Sequence, residues 1–467
     1  MKNINKIIII IFTAINIIGC TKYVDGINED PDLLIDSDAQ NLFQGAVLGN
    51  QFFQTSSVVR SAMIWMNQAN GEDRQYVSLN DWNNSVSSTN DDSWNLAYVN
   101  CLAQARLIQQ KAEKSKSPNI VGAAQVIEAS CMGTVTQLWG DIPYSQFDVN
   151  AGNLQPKYDA QPQVYTSLQI LLDKAIVNLS LTSGSSIPAT KDVNFGGSTA
   201  KWTALAYSLK ARFYLHVKNY PLAKTNALLG INNSADDFNA VFTGVTAGQD
   251  VNPYNTFLND RDSYMSGDSY AARILDKTDA LYRGNVKTNE EKRFDFNYYD
   301  GGAFSPYSLN DSKKFAGDSN LPLVTYGEML LIIAEVDART SFTAGLVSYN
   351  TYRSALSSGY GYPATSYLPY DAADFTVGGI ENNTTNILTD SNALLREIYQ
   401  ERYVYFIGNF ESYTDFGRTN NIAEIKLKPG YVGSPQRFIY PQVEINSNAA
   451  NVPSPLPKIT QKTTVNL

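Results

Sequence analysis

Histidine occurs once and cysteine three times in 467 residues, and those two scarcities remove whole classes of chemistry. A single His, His216, leaves no multi-histidine metal centre and no redundancy for a histidine-based triad; at the end of a helical run it reads as a structural group. With Cys20 near the start, only Cys101 and Cys131 remain in the body, too few for a disulfide scaffold or a zinc site. Beyond the first twenty residues no apolar run is long enough to cross a bilayer. Basic charge is also short, with 36 Lys and Arg against 45 Asp and Glu and a net charge of -9. That balance argues against nucleic acid or an anionic membrane surface as a partner. No Asp-x-Asp-x-Asp-Gly calcium loop is present, and no cofactor is expected.

What is present begins with Met1 to Cys20. Lys2 and Lys6 precede an apolar run from Ile7 to Ile18, and Gly19-Cys20 closes it. A positive start, a short apolar core and a small residue before the cleavage point are the layout of a secretory signal. The Cys after Gly19 resembles a bacterial lipobox, which implies a leader over 1–19 and lipidation of Cys20. Several acyl chains on one residue supply the two or more signals that stable anchoring needs. Residues 20–38, with Asp25, Glu29, Asp30 and Asp32, then read as an acidic tether.

Residues 39–467 read as one body with irregular insertions at about 67–92, 236–320 and 357–390. Helical periodicity runs from Ala39 to about Met66. Ser93 is the expected cap of a run in which Trp94, Tyr98, Cys101, Ala105, Ile108 and Ala112 form a stripe, and Ile120, Ala124, Ile127, Cys131, Val135 and Leu138 repeat it after a break at Lys114–Pro118. The two make an antiparallel hairpin that sets Cys101 and Cys131 at one height. A disulfide is geometrically allowed there, and two buried thiols are the other reading; the sequence leaves both open. Further helices are expected at Val164–Leu179, Ala200–His216, Leu222–Leu229, Leu323–Arg339, Ala344–Leu356 and Asn392 to about Ile407. Several of these pair like degenerate tetratricopeptide units.

Leu138-Trp139-Gly140-Asp141-Ile142-Pro143-Tyr144 resembles the Gly-Asp-aliphatic-Pro-Tyr signature of SusD/RagB-type nutrient-binding outer-membrane lipoproteins. Further matches follow in that family's order: Asn28 to Pro31, Lys201 to Arg212, Tyr326 to Glu335, Phe410 to Thr419, and Pro435 to Asn446. Tyr413 and Gly417 depart from the usual Trp and Arg of their segment. The resemblance implies a mostly α SusD-like fold, with tetratricopeptide-like pairs as scaffold and loops as ligand face. It also implies a non-enzymatic binder of oligosaccharide, or in some members peptide. The implied partner is a SusC-like TonB-dependent outer-membrane transporter, and the implied location is the outer membrane, lipid-anchored and facing the exterior. A surface glycoside hydrolase is the alternative of a different class, but no carboxylate pair stands out for it.

Within this frame Trp139, Asp141, Pro143 and Tyr144 read as a structural turn, and Glu411, Asp415 and Arg418 as a buried charge cluster. A sugar site needs aromatic faces flanked by groups that bond hydroxyls. Trp82 and Tyr76 on the first insertion are the expected platform, with Asp73 and Arg74 as hydroxyl binders. Tyr264, in a cluster with Tyr254, Phe257, Arg261 and Asp262, and Tyr298, beside Phe296 and Tyr299, are further candidates on the second insertion.

Overall fold

A computed structural model describes residues 37–149, 152–245, 250–383, 387–428 and 433–467. Cys20, the leader and most of the tether lie outside the described residues. No helix among those described is long and apolar enough to cross a membrane.

The body is mostly helical, and its helices start where the sequence supplies caps or prolines. α1 (Ala39–Gln54) and α2 (Ser57–Trp65) share the stretch of helical periodicity over 39–66. The turn between them is sealed by Ser93, whose hydroxyl donates to Ser56 Oγ at 3.0 Å and meets Ser57 Oγ at 3.1 Å. Ser93 is therefore not a helix cap: α4 starts at Asp91 (Asp91–Asn95), passes through a π-helical stretch at Leu96–Leu102 and continues as α5 (Ala103–Lys114).

Before α4 come a short strand, β1 (Asn70–Gly71), and a one-and-a-half-turn helix, α3 (Arg74–Leu79). After α5, Pro118 sits at the first turn of α6 (Pro118–Trp139), where its missing N–H costs nothing. α6 is buried on nearly every face and packs between α5 and α7 (Gln161–Ser180). Beyond them α8 (Thr199–His216) pairs with α9 (Tyr220–Ala227). Then α13 (Tyr326–Thr340), capped by Thr325, pairs with α14 (Phe342–Ser358), capped by Ser341. α9 packs on α13, which also packs on α15 (Asp390–Tyr405), so the helical pairs form one continuous row. This is the repeat scaffold expected from the sequence.

Between α9 and α13 the second insertion is built from short pieces: β4 (Phe238–Ala240), α10 (Pro253–Asp260), β5 (Met265–Ser266), α11 (Tyr270–Leu275), α12 (Glu291–Asn297), the antiparallel pair β6 (Tyr298–Asp300) and β7 (Tyr307–Leu309), and β8 (Leu321–Val324). β8 pairs with β4, so Leu323 belongs to a strand and not to the helix expected from Leu323 onward.

The signature at the end of α6 turns the chain. Gly140 has a φ of 84°, a conformation that side-chain-bearing residues rarely adopt. It turns the chain into β2 (Ile142–Pro143), which pairs with β3 (Tyr158–Asp159). Trp139 Nε1 donates to Ile439 O at 2.9 Å, Asp141 Oδ1 accepts from Gln161 N at 2.9 Å, Pro143 O accepts from Tyr98 Oη at 2.9 Å, and Tyr144 Oη donates to Glu128 Oε1 at 2.9 Å.

The second set of family residues lies on α16 (Glu411–Thr419) and joins a buried network. Asp415 accepts from Arg402 Nε at 2.5 Å and from Arg418 at 2.6 Å, while Arg418 also reaches Glu335. Glu411 accepts from or faces His216 Nε2 at 3.0 Å and Arg212 Nε at 3.5 Å. His216 Nδ1 meets Tyr165 Oη at 3.0 Å, so the lone histidine is a packed link between α7 and α16. Cys101 and Cys131 are both free buried thiols. Their Sγ atoms lean on Ile127 O and Ala97 O across the hairpin, at 4.0 and 3.6 Å.

Candidate functional site

The first and second insertions meet through the shortest possible ladder. β1 pairs antiparallel with β5, Asn70 opposite Ser266 and Gly71 opposite Met265, and Glu72 N extends it by donating to Tyr264 O at 2.8 Å. Gly71 is required here: a Cβ at that position would come within 1.8 Å of the Tyr76 carbonyl oxygen. Asp73 caps α3 by accepting from Arg74 N at 2.8 Å, and it forms a 3.7 Å ion pair with the Arg74 side chain. At the surface that pair is worth ~0–1 kcal/mol, so its carboxylate and guanidinium are readily given up to another partner.

Inward from this rim lies a stack of aromatic rings and guanidinium groups. Tyr76 is centred 4.9 Å from Phe257 and 6.0 Å from Tyr264. Arg60 donates to Tyr76 Oη at 3.1 Å and sits 4.7 Å from the Phe257 ring and 5.9 Å from that of Tyr254. The Tyr264 ring is flanked by Arg74 and Arg261, each 5.6 Å from its centroid. Residues nearly two hundred positions apart, Asp73, Arg74 and Tyr76 on one insertion and Tyr254, Phe257, Arg261 and Tyr264 on the other, thus share one cluster. Its outer layer is polar and open to solvent, with the Arg74 side chain 71% exposed and Arg261 and Asp262 exposed beside it. Its aromatic layer is closed.

That closure corrects the expected platform. Trp82 is 1% exposed: Asp81 accepts from Asn83 N at 3.1 Å and starts a tight 3-10 turn over Trp82–Asn84, which tucks the indole into the core. Tyr76 and Tyr264 are buried by the stack just described, and Tyr298 is sealed with its hydroxyl on Gln68 O at 2.8 Å. None of the four presents a ring face to solvent, so they support the face from below.

Exposed rings occur instead on the β6–β7 hairpin, which adjoins β5 through Gly267 N donating to Tyr307 O at 2.9 Å. Side chains alternate along a strand, so with Tyr298 inward its neighbour Tyr299 points out and is 44% exposed. Phe304, at the hairpin tip, is 54% exposed. Phe304 escapes a reading by aromatic clusters; the signal it does carry is an unshielded ring in the glycine-containing turn Gly301-Gly302-Ala303. Among the described residues no group of three His, Cys, Asp or Glu is placed to hold a metal ion.

A family model described as starch-binding associating with outer membrane matches residues 36–441. The chain belongs to the SusD-like family. A SusD/RagB family protein from Bacteroides thetaiotaomicron shares this SusD-like fold with 18% identity and a TM-score of 0.66 over 92% of this chain and 99% of its own. A chitin-binding SusD homolog from Flavobacterium johnsoniae aligns with 16% identity and a TM-score of 0.67 over 91% and 98%. A SusD homolog from Bacteroides uniformis gives 18%, 0.65, 92% and 100%. At these identities the likeness establishes the SusD-like fold. No curated protein sequence matches the chain.

Proposed function

We propose that this SusD-like chain is a lipid-anchored protein of the outer-membrane surface that captures oligosaccharide on the face built by its first two insertions and delivers it to a TonB-dependent transporter. The single observation that carries this reading is the shared cluster of the two insertions. A solvent-facing rim of Asp73, Arg74, Arg261 and Asp262, and the open rings of Tyr299 and Phe304, adjoin one buried base. Hydroxyl-rich ligands are held by that combination: carboxylate and guanidinium groups bond the hydroxyls while an aromatic face covers the C–H side of a ring. The family description and the chitin-binding homolog support a carbohydrate as the ligand class. Cys20 supplies the anchor in this reading, and the protein holds its ligand without cleaving it.

Affinity electrophoresis and calorimetry against a panel of polysaccharides, starch and chitin first, test it. We expect retardation by at least one glycan, loss of most of that affinity in Arg74→Ala and in Tyr299→Ala with unchanged Tm, and no release of shorter products. Failure of every glycan, or retention only of oligopeptides, would overturn the carbohydrate reading.

A further inference from the structure

A cavity of about 120 Å3 lies between β8, the end of α12 and the turn Phe406–Asn409 that follows α15. Its walls are aromatic and aliphatic, with Tyr360, Tyr362, Tyr405 and Phe406 inside and the half-exposed ring of Phe296 at the mouth. The cavity contains one cation with no counter-charge. Lys314 is 7% exposed, and among the described residues no carboxylate, carbonyl or hydroxyl pairs with its ammonium. The Phe296 ring is centred 5.8 Å from it. Leaving an ammonium buried and unpaired is costly, and the neighbouring charge does not relieve it. Arg293 is itself a cation, and its guanidinium is committed to Glu290 at 3.0 Å and Glu401 at 2.6 Å. Burial, with Arg293 adding to it, pushes the Lys314 amine down to about 7. On the same wall Asn297 gives its Nδ2 to Arg293 O at 2.7 Å and keeps an Oδ1 without a hydrogen-bond partner.

We propose that this pocket takes a hexuronic acid, the Lys314 ammonium pairing with the sugar's carboxylate. The chemistry of the walls selects the class. A single unpaired monovalent cation calls for one monovalent anion, and ring-lined sides call for a ligand with a C–H face. The space is smaller than the ~150 Å3 cavity that accommodates benzene, so the carboxylate end of the sugar enters and the rest of the ring lies at the mouth against Phe296. This site is separate from the Tyr264 face and adds an acidic-sugar preference to a protein whose overall charge is negative.

Calorimetry on the full chain with galacturonate and glucuronate, with galactose and glucose, and with acetate and an acidic dipeptide, distinguishes the sources of the carboxylate. The uronates are expected to bind at least tenfold more tightly than the neutral hexoses, and Lys314→Met to lose at least tenfold in uronate affinity. Phe296→Ala is expected to weaken uronate binding while the protein remains folded. Affinity should fall as pH rises from 7 to 9, because only the protonated amine pairs with the carboxylate. Tyr360, Tyr362 and Tyr405 are all pushed up by burial and stay protonated across that window. Asp237, behind Tyr360, is pushed up by burial to about 7, so Asp237→Asn must leave the pH profile of binding in place. Equal binding of uronate and hexose, or uronate binding retained by folded Lys314→Met, would overturn the site. Acetate or the dipeptide matching the uronates would overturn the sugar-acid assignment. Neutral-glycan binding by Lys314→Met at wild-type strength keeps this test distinct from that of the loop face.

Discussion

Glu335 on α13 accepts two hydrogen bonds from the Arg418 guanidinium on α16, at 2.6 and 2.8 Å, so elements 83 residues apart are clamped by a forked pair with no access to water. The same carboxylate accepts from Tyr399 Oη at 2.5 Å and Arg339 Nε at 3.1 Å. Burial disfavours its charge, yet Arg418, Arg339 and Arg402 outweigh that and hold Glu335 at about 2; Glu411, beside His216 and Arg212, is held at about 2 in the same way.

Both carboxyls are depressed below their unfolded value of 4.5. Their contribution to stability is therefore complete above that value and is lost as pH falls from about 4.5 towards 2. Urea unfolding across a pH series should show this decline, with a shallower slope in Glu335→Gln. Arg418→Met, which strands Glu335 and Asp415 without a cation they share, is expected to cost about 3–5 kcal/mol at pH 7. A loss below 1 kcal/mol would mean the network is not held as described.

Trp82→Ala should act on stability. Removing a fully buried indole typically costs about 3–5 kcal/mol, which calorimetric unfolding would register as a clear fall in Tm. Arg74→Ala, by contrast, removes an exposed side chain and should move Tm by no more than a degree or two. The reverse pattern would place Trp82 on an open face after all.

Lys314 predicts an alkaline effect. Its folded value near 7 lies below its ordinary 10.5, so the unfolded chain binds the extra proton between these limits and wild-type stability gains as pH rises through them. Lys314→Met removes the buried amine at similar volume. It is expected to be more stable than wild type by on the order of 3–5 kcal/mol at pH 7, with the difference shrinking towards pH 10. A difference that does not change with pH would show that the amine is not desolvated.

Cys101 and Cys131 should behave as inert thiols. Burial, aided by Cys101, pushes the Cys131 thiol well up, and a thiol rather than a thiolate is a poor nucleophile. A thiol reagent should therefore label neither in the native protein and both after unfolding in denaturant without reductant. Labelling of neither in denaturant would reveal a disulfide.

The scaffold was legible because it is repetitive: apolar residues at helical spacing and a break ending at Pro118 act over a few neighbouring positions, whereas the caps Thr325 and Ser341 show only in the folded chain. Fixed-spacing charges such as Glu411, Asp415 and Arg418 were legible as a buried cluster for the same reason. Their partners were not, because Arg212, Glu335 and Arg402 arrive from other helices. The insertions were harder. Composition marked them as irregular and set Tyr254, Phe257, Arg261, Asp262 and Tyr264 side by side in the chain. Whether a ring ends up inside or outside depends on a single turn, however, as Trp82 and its 3-10 bend illustrate. Lys314 carries no local pattern at all; its isolation is defined by what the folded chain fails to bring near it.

The segment Arg437–Ile439 closes over the start of the signature. Phe438 N donates to Leu138 O at 2.8 Å, Trp139 Nε1 and Asn90 Nδ2 both donate to Ile439 O at 2.9 Å, and Arg437 bonds the Trp139 carbonyl. A chain emerging from its N-terminus must therefore keep this slot vacant while some three hundred further residues are made. The end of α6 is covered by nearly the last piece to arrive, so a chain cut short before Arg437 retains every helical pair yet leaves the C-terminal end of its longest helix unsealed. Completion of synthesis is built into the architecture as a condition for a closed core.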